Sequence, residues 1–315
     1  MSATSREHRH PTLWAISDLH IGHTGNKPVT ESLYPSSPDD WLIVAGDVAE
    51  RTDEIRWSLD LLRKRFAKVI WVPGNHELWT TNRDPMQIFG RARYDYLVNM
   101  CDEMGIVTPE HPYPVWTEEG GPATIVPMFL LYDYTFLPDG AATKAEGLAL
   151  ARERNVTGTD EFLLSSEPYA TRDAWCRDRV VHTRKRLEDL DWMMPTVLVN
   201  HFPLVREPCE ATAAPRYPSQ WVRLPTTPSG QHGSPFSPLR IGTGGTPSSE
   251  SASRAQCRTV TNSLRRLATD RAISGSSSGS GANSGGSVYI SAATTAPVST
   301  SESSVATVVT RIASA

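Results

Sequence analysis

The sequence contains four short apolar runs, and each is followed by side chains that can bind a metal or transfer a proton. These carboxylates, imidazoles and amides stand in Asp18-Leu19-His20, Gly46-Asp47, Gly74-Asn75-His76-Glu77 and Asn200-His201. One such turn, taken alone, could equally be an ordinary polar turn after a strand. Strands that share a sheet would instead bring these side chains to one crevice at their carboxyl ends. The repeated pattern therefore predicts a metal-binding or proton-transfer site.

A strand–helix–strand unit near the N-terminus would position two of these turns. Residues 41–45 and 69–72 are apolar, and residues 52–66 between them repeat apolar side chains at three- and four-residue spacing. Such a unit predicts parallel strands joined by a right-handed crossover, with the helix on one sheet face. The same patterns predict strands at residues 13–17, 114–117, 123–129 and 196–199, and helices at residues 85–104 and 171–190.

Two longer connections are expected around the mouth of this site. Residues 24–40 are rich in Pro and Ser, which favours a loop over the rim. Residues 130–168 have mixed polarity and sustain no period beyond a turn of helix at residues 145–154, so we interpret them as an insertion. Substrate selectivity would lie in such loops, and the sequence therefore does not name the substrate.

Composition and charge exclude several classes of protein. The chain has 315 residues, a net charge of −4 and 39% hydrophobic residues, which permits a sizeable core but gives no basic footprint for nucleic acid. No stretch approaches the roughly 20 apolar residues of a membrane span, and the polar start does not resemble a secretory signal. The four cysteines have no C-x-x-C spacing. We expect a cytoplasmic protein, and its oligomeric state stays open.

The chain changes character after about residue 209. The tail is rich in Ser, Thr, Gly, Pro and Arg, and it contains no Lys. Such a composition cannot bury a core. We therefore predict a flexible N-terminus at residues 1–11, one folded domain at residues 12–209 and a disordered low-complexity tail at residues 210–315. Out-of-frame translation of a GC-rich coding sequence would give a tail of this composition, a hypothesis that the nucleotide sequence would decide.

Most of the predicted folded domain resembles the calcineurin-like metallophosphoesterase family, whose motifs run D-x-H, G-D, G-N-H-D/E, a later His and G-H-x-H. The resemblance implies an α/β fold, a two-sheet sandwich flanked by helices (αββα), and two divalent metal ions. It places Asp18 and His20 on the first metal, Asp47 between both, and Asn75 and His201 on the second. Carboxylate, imidazole and amide ligands together favour Mn, Fe or Zn without choosing among them.

The same resemblance implies a reaction, the hydrolysis of a phosphoester. Two metals that share a carboxylate can activate water for attack on phosphorus and stabilise the oxygens of the displacement. His76 would protonate the leaving group, Glu50 would orient His76, and Arg51 would contact the phosphate. Glu50 and Arg51 could equally be solvated residues at the start of a helix, and His23 is interpreted as a rim histidine without a role.

The last motif of the family, G-H-x-H, is missing from this sequence. The only histidine after His201 is His232, within Gly-Gln-His-Gly. Each metal is therefore short of one imidazole, and we expect weak metal binding, low activity and a sandwich that is incomplete at its C-terminal end, with open sheet edges. The alternative function is a catalytically inactive metallophosphoesterase-like protein that keeps the scaffold for binding or regulation.

Overall fold

The computed structural model of the chain describes residues 10–153, 158–191, 193–202 and 204, and the backbone alone of residues 287–290 and 308–312. Two four-stranded sheets and their flanking helices make up the described part. In chain order the elements are β1 Leu13–Ser17, α1 Asn26–Glu31, β2 Trp41–Val44, α2 Thr52–Arg65, β3 Lys68–Trp71, a 3-10 turn His76–Leu78, α3 Gly90–Glu103, β4 Val115–Trp116, β5 Ala123–Pro127, α4 Lys144–Glu153, α5 Asp160–Leu163, α6 Arg172–Leu187, β6 Thr196–Val199, β7 Ser287–Ile290 and β8 Val308–Ile312.

The first sheet has the strand order β3-β2-β1-β8. Strands β1, β2 and β3 are parallel, and β8 is antiparallel to β1. Helix α2 connects β2 to β3 and buries Ile55, Leu59 and Leu62 in a cluster that also contains α3 residues and one face of the sheet. The predicted strand–helix–strand unit is confirmed.

The second sheet has the order β4-β5-β6-β7, in which β5, β6 and β7 are parallel and β4 is antiparallel. Its outer face packs against α6 and the insertion, where Val126 and Leu198 share a cluster with Trp175 and Val180. Helix α6 has the charged outer surface expected of its sequence, and Thr171 caps its first turn by accepting a hydrogen bond from the Ala174 N–H.

The two sheets bury a common apolar layer between them. Along β1, Leu13 and Ala15 join this layer with Ile125 and Val197 of the second sheet, whereas Ile16 belongs to the cluster under α2 and α3. Strands covered on both faces need apolar residues at successive positions, which explains the continuous apolar runs of the sequence. The predicted αββα sandwich is confirmed.

Two helices differ from the predictions. Residues 24–40 contain the short helix α1, and the helix predicted from residue 85 begins at Gly90 instead. The buried Asp84 carboxylate accepts hydrogen bonds from the Met86 backbone N–H and from both the N–H and hydroxyl of Thr52. The bonds with Thr52 tie the segment before α3 to the start of α2, and this segment runs in turns up to Gly90.

Two segments of the tail form strands, contrary to the expected disorder. Ser287–Ile290 lies parallel to β6, and Val308–Ile312 lies antiparallel to β1. The sheet edges at β6 and β1, which were expected to be open, are therefore paired. Their β-branched sequences favour strands despite the surrounding Ser and Gly. The rest of the tail, with His232, lies outside the described residues, as do residues 1–9. Within the described part, no helix has the length and apolarity needed to cross a membrane.

Candidate active site

The ends of four strands from both sheets, β1, β2, β3 and β6, meet at Asp47. Asp18 and His20 follow β1, Asp47 follows β2, and His201 follows β6. The Oδ2 atom of Asp47 lies 3.6 Å from His20 Nε2, 3.9 Å from His76 Nε2 and 3.3 Å from His201 Nε2. Asp18 Oδ1 lies 3.7 Å from His20 Nε2. The turns that the sequence singled out therefore form one buried cluster.

The backbone at these turns adopts a conformation that side chains ordinarily avoid. Asp18, His20 and Asp47 have φ angles of 56°, 40° and 56°, in the left-handed region that costs a non-glycine residue about 1 kcal/mol or more. Gly46 has φ 89°, and a Cβ there would lie 2.6 Å from His201 Nδ1. Tight turns at the strand ends thus aim the side chains of Asp18, His20 and Asp47 into the crevice.

A buried carboxylate, Glu77, ties two of the turns together. Its Oε2 accepts hydrogen bonds from the Asp47 N–H at 3.0 Å and the Gly74 N–H at 2.9 Å, and its Oε1 accepts one from the Val48 N–H at 2.8 Å. Burial and the nearby Asp47 carboxylate raise the pKa of Glu77 above its ordinary value. Glu77 therefore fixes the turn after β2 against the turn after β3.

The Asp47 carboxylate fits a cation. It is fully buried, and its Oδ2 has no hydrogen-bond partner. Burial would raise the pKa of Asp47, but the imidazoles of His201, His76 and His20 hold it far below its ordinary value. A buried anionic oxygen that faces three ring nitrogens, with a second carboxylate on Asp18 close by, has the donor chemistry of a transition-metal site.

His201 is oriented for the role of a metal ligand. Its Nδ1 donates a hydrogen bond to the Ala45 carbonyl oxygen at 2.9 Å, which leaves Nε2 facing Asp47. A ring held in this way by a backbone carbonyl is the usual arrangement for metal-ligating histidines. Burial lowers the pKa of His201, but the Asp47 carboxylate outweighs burial and raises it to about 10. Positive charge is strongly attracted to this point.

Asn75 lies in the turn after β3, directly before His76. Its Nδ2 donates a hydrogen bond to Asp160 Oδ1 at 2.9 Å. The amide oxygen is then the atom of Asn75 that could act as a ligand, as the resemblance implied.

His76 is held by an acid on one side and an indole on the other. Its Nδ1 lies 2.7 Å from Glu50 Oε1, and its ring packs on Trp79 with a centroid distance of 3.7 Å. Burial lowers the pKa of His76, but the carboxylates of Asp47 and Glu50 together raise it above its ordinary value of 6.5. The structure thus brings Glu50 to His76, as the sequence predicted, and favours the protonated ring.

Comparison with known proteins decides the family. The model of calcineurin-like phosphoesterases matches residues 11–206, more than half of the chain. The chain belongs to the calcineurin-like phosphoesterase family. It is 83% identical over 211 residues, or 67% of this chain, to the acyl-carrier-protein phosphodiesterase PptH of Mycobacterium tuberculosis, and it spans 65% of that relative's length. The crystal structure of phosphopantetheinyl hydrolase (PptH) from Mycobacterium tuberculosis is similar with a TM-score of 0.66 and 82% identity, covering 68% of this chain and 76% of that one.

Arg51 is a predicted site residue that the structure does not bring to the cluster. Its guanidinium forms a two-contact ion pair with Asp53, at 2.6 Å and 3.0 Å, on the partly exposed start of α2. Its contact with phosphate stays a prediction. His23 is exposed at the rim, with its ring centroid 5.8 Å from that of His20, and it groups with His20 and Glu50 as a set that could hold a metal ion.

Sequence reasoning missed three residues that support the candidate site. Asp160 and Trp79 gave no recognisable signal, because they act through contacts with residues distant in sequence or through ring packing. Arg93 did give a signal, because it is a charged residue within the apolar stripe predicted for α3. It is fully buried, donates hydrogen bonds to the carbonyl oxygens of Glu50 at 2.7 Å and Glu77 at 2.6 Å, and pairs with a buried carboxylate at 2.7 Å.

Proposed function

We propose that this protein is a dinuclear-metal-dependent phosphoester hydrolase, and that its substrate is the phosphodiester of a phosphopantetheinyl group on an acyl carrier protein. The observation that carries the reaction type is the buried Asp47 oxygen between imidazoles from both sheets. The substrate is proposed from the names of the relatives at 83% and 82% identity. A cytoplasmic location remains part of this proposal.

Five residues of the cluster supply the proposed ligands. Asp18 and His20 would hold the first metal, Asn75 and His201 would hold the second, and Asp47 would contribute to both. When bound, Mn, Fe or Zn would lower the pKa of a water nucleophile and neutralise charge on the phosphoryl oxygens. The orphaned Asp47 Oδ2 and the oriented His201 ring support this assignment.

His76 is the proposed general acid. Its Nδ1 faces Glu50, so the proton on Nε2 is directed toward the centre, where Asp47 Oδ2 lies 3.9 Å away. The nearby carboxylates raise the pKa of His76, which favours the protonated ring, and the leaving oxygen would accept that proton as the ester bond breaks. Trp79 supports one face of the ring and limits its rotation. Arg51 would have to leave Asp53 before it could contact the phosphate.

The test is a metal titration joined to a substrate comparison. Metal-free protein is titrated with Mn²⁺, and hydrolysis is followed on phosphopantetheinylated acyl carrier protein and on p-nitrophenyl phosphate. Two bound metal ions with release of the phosphopantetheinyl group support the proposal. Two bound ions with turnover of p-nitrophenyl phosphate alone would keep the reaction type and refute the carrier-protein substrate.

The missing G-H-x-H motif favours a second candidate, a protein that keeps the scaffold without catalysis. One weak metal site and no turnover would support it. A chimera that carries Gly-His-x-His after about residue 210 separates the two candidates, because the added imidazoles should restore metal binding and turnover together. Robust turnover by the unmodified chain, with His232→Ala harmless, would refute the expectation that the missing ligands matter.

A further inference from the structure

Asp160, on the short helix α5 of the insertion, is a buried carboxylate that accepts hydrogen bonds only from side chains around the site. Its side chain accepts from Asn75 Nδ2 at 2.9 Å, Trp79 Nε1 at 2.6 Å and the Tyr132 hydroxyl at 2.6 Å. Asp160 is 2% exposed. Three directed donors on one carboxylate give its side chain a defined position.

The contact with Asn75 selects one of the two orientations of its amide. A carboxylate oxygen can only accept, so the NH₂ group of Asn75 must face Asp160 and the amide oxygen must point the other way. The reverse orientation would bring two oxygen atoms together without a hydrogen between them. Asp160 thus decides whether Asn75 offers an oxygen or an NH₂ group on the side away from the insertion, and only the oxygen can bind a metal.

The contact with Trp79 extends the effect to His76. Both Asn75 Nδ2 and Trp79 Nε1 donate to the same Oδ1 atom of Asp160. The indole so fixed lies against the His76 ring at an interplanar angle of 34°. The proposed second metal ligand and the proposed general acid therefore share one anchor in the insertion.

Asp160 is itself fixed to helix α6. The guanidinium of Arg172, at the start of α6, donates hydrogen bonds to the carbonyl oxygens of Asp160 and Leu164. Arg172 also pairs with the Glu161 carboxylate at 2.5 Å. The backbone of α5 is consequently held at both ends, and the Asp160 side chain has little freedom to move away from Asn75.

We propose that Asp160 is a positioning residue that turns the Asn75 amide oxygen toward the second metal and holds the Trp79 support beneath His76. This inference rests on the proposed function, because it assigns metal binding to Asn75. It adds that the insertion, beyond shaping the mouth, sets the geometry of the metal centre through one carboxylate.

The test compares three variants of the full chain by Mn²⁺ titration of metal-free protein. Asp160→Ala removes the acceptor, and Mn²⁺ affinity at one site should fall about 10- to 100-fold. Asp160→Asn keeps an oxygen for Asn75 and Trp79, since Tyr132 can accept from the new amide, and affinity should stay within about threefold. Tyr132→Phe, the matched control in the same buried cluster, should stay within about twofold, although all three variants lower the melting temperature.

Wild-type affinity in Asp160→Ala, or an equal loss in Asp160→Asn, would overturn the positioning role alone. A wild-type chain that binds no Mn²⁺ would overturn both this role and the proposed function. Should Asp160→Ala fail to fold, Trp79→Phe replaces it, because it removes one donor to Asp160 and keeps a ring beside His76. Trp79→Phe should leave Mn²⁺ affinity unchanged and lower kcat with an unchanged KM. An unaltered kcat would refute the role of Trp79 in supporting the His76 ring.

Discussion

Replacing Glu77 with Gln should destabilise the fold although the side chains have nearly the same shape. All three partners of the Glu77 carboxylate are backbone N–H donors, at Asp47, Val48 and Gly74. A Gln amide has one oxygen, so its NH₂ group must face at least one of these donors. The best arrangement puts the new NH₂ group opposite the Val48 N–H. The amide oxygen then takes the position of Oε2 and still accepts hydrogen bonds from the Asp47 and Gly74 N–H groups.

The magnitude follows from these contacts. One orphaned buried N–H costs about 2 kcal/mol, and the two remaining bonds each lose about 1 kcal/mol when the acceptor becomes neutral. Burial and Asp47 raise the pKa of Glu77, so removing its charge offsets part of this loss. We expect a net loss of at most about 4 kcal/mol in the free energy of unfolding.

Urea unfolding followed by tryptophan fluorescence measures this loss. The experiment uses EDTA, because bound metal would stabilise the native state by mass action and mask the difference. The midpoint should fall with an unchanged m-value. Glu103→Gln is the control, since its exposed pair with Arg56 should contribute less than about 1 kcal/mol. A Glu77→Gln loss no larger than that of the control would refute the reasoning.

Three further predictions concern the centre itself. Asp47→Asn removes the charge between the metals, so metal stoichiometry and turnover should fall together; two bound metals with full activity would contradict the bridging role. His76→Ala should leave metal content intact and lower turnover about 10²- to 10⁴-fold on poor leaving groups, with a smaller loss on activated aryl phosphates; equal losses on both would instead indicate a metal or structural role. Glu50→Gln removes a carboxylate that raises the pKa of His76. Because catalysis requires the protonated ring, the basic limb of its pH–rate profile should move to lower pH, and an unmoved limb would refute the pairing.

The sequence allowed the site residues to be predicted where reactive side chains directly follow a strand. Asp18 and His201 lie far apart in the chain, yet both follow apolar runs. Their strands belong to different sheets, contrary to the expectation of one shared sheet, and the packing of the two sheets brings both residues to Asp47. The resemblance to the family, and not this local pattern, implied the contact of Glu50 with His76 that the structure contains. It also implied a phosphate contact for Arg51, which stays a prediction; in the structure Arg51 pairs with Asp53, two residues away.

Long-range contacts set the limit of prediction. Asp160 stands in a segment without periodicity, 85 positions from Asn75, and no local pattern connects them. The start of α3 was misplaced because Asp84 binds Thr52, a contact that spans 32 positions. The two tail strands were missed for another reason, since their few β-branched residues are outweighed by Ser and Gly when composition is averaged over the tail.

The left-handed backbone of three site residues has an evolutionary consequence. Glycine would occupy the φ angles of Asp18, His20 and Asp47 without steric cost, so each position could be relaxed by a single substitution. Each such change would also delete a proposed ligand. The chain therefore carries Asp, His and Asp at three positions where the backbone conformation alone would favour glycine, because glycine there would remove the proposed ligands.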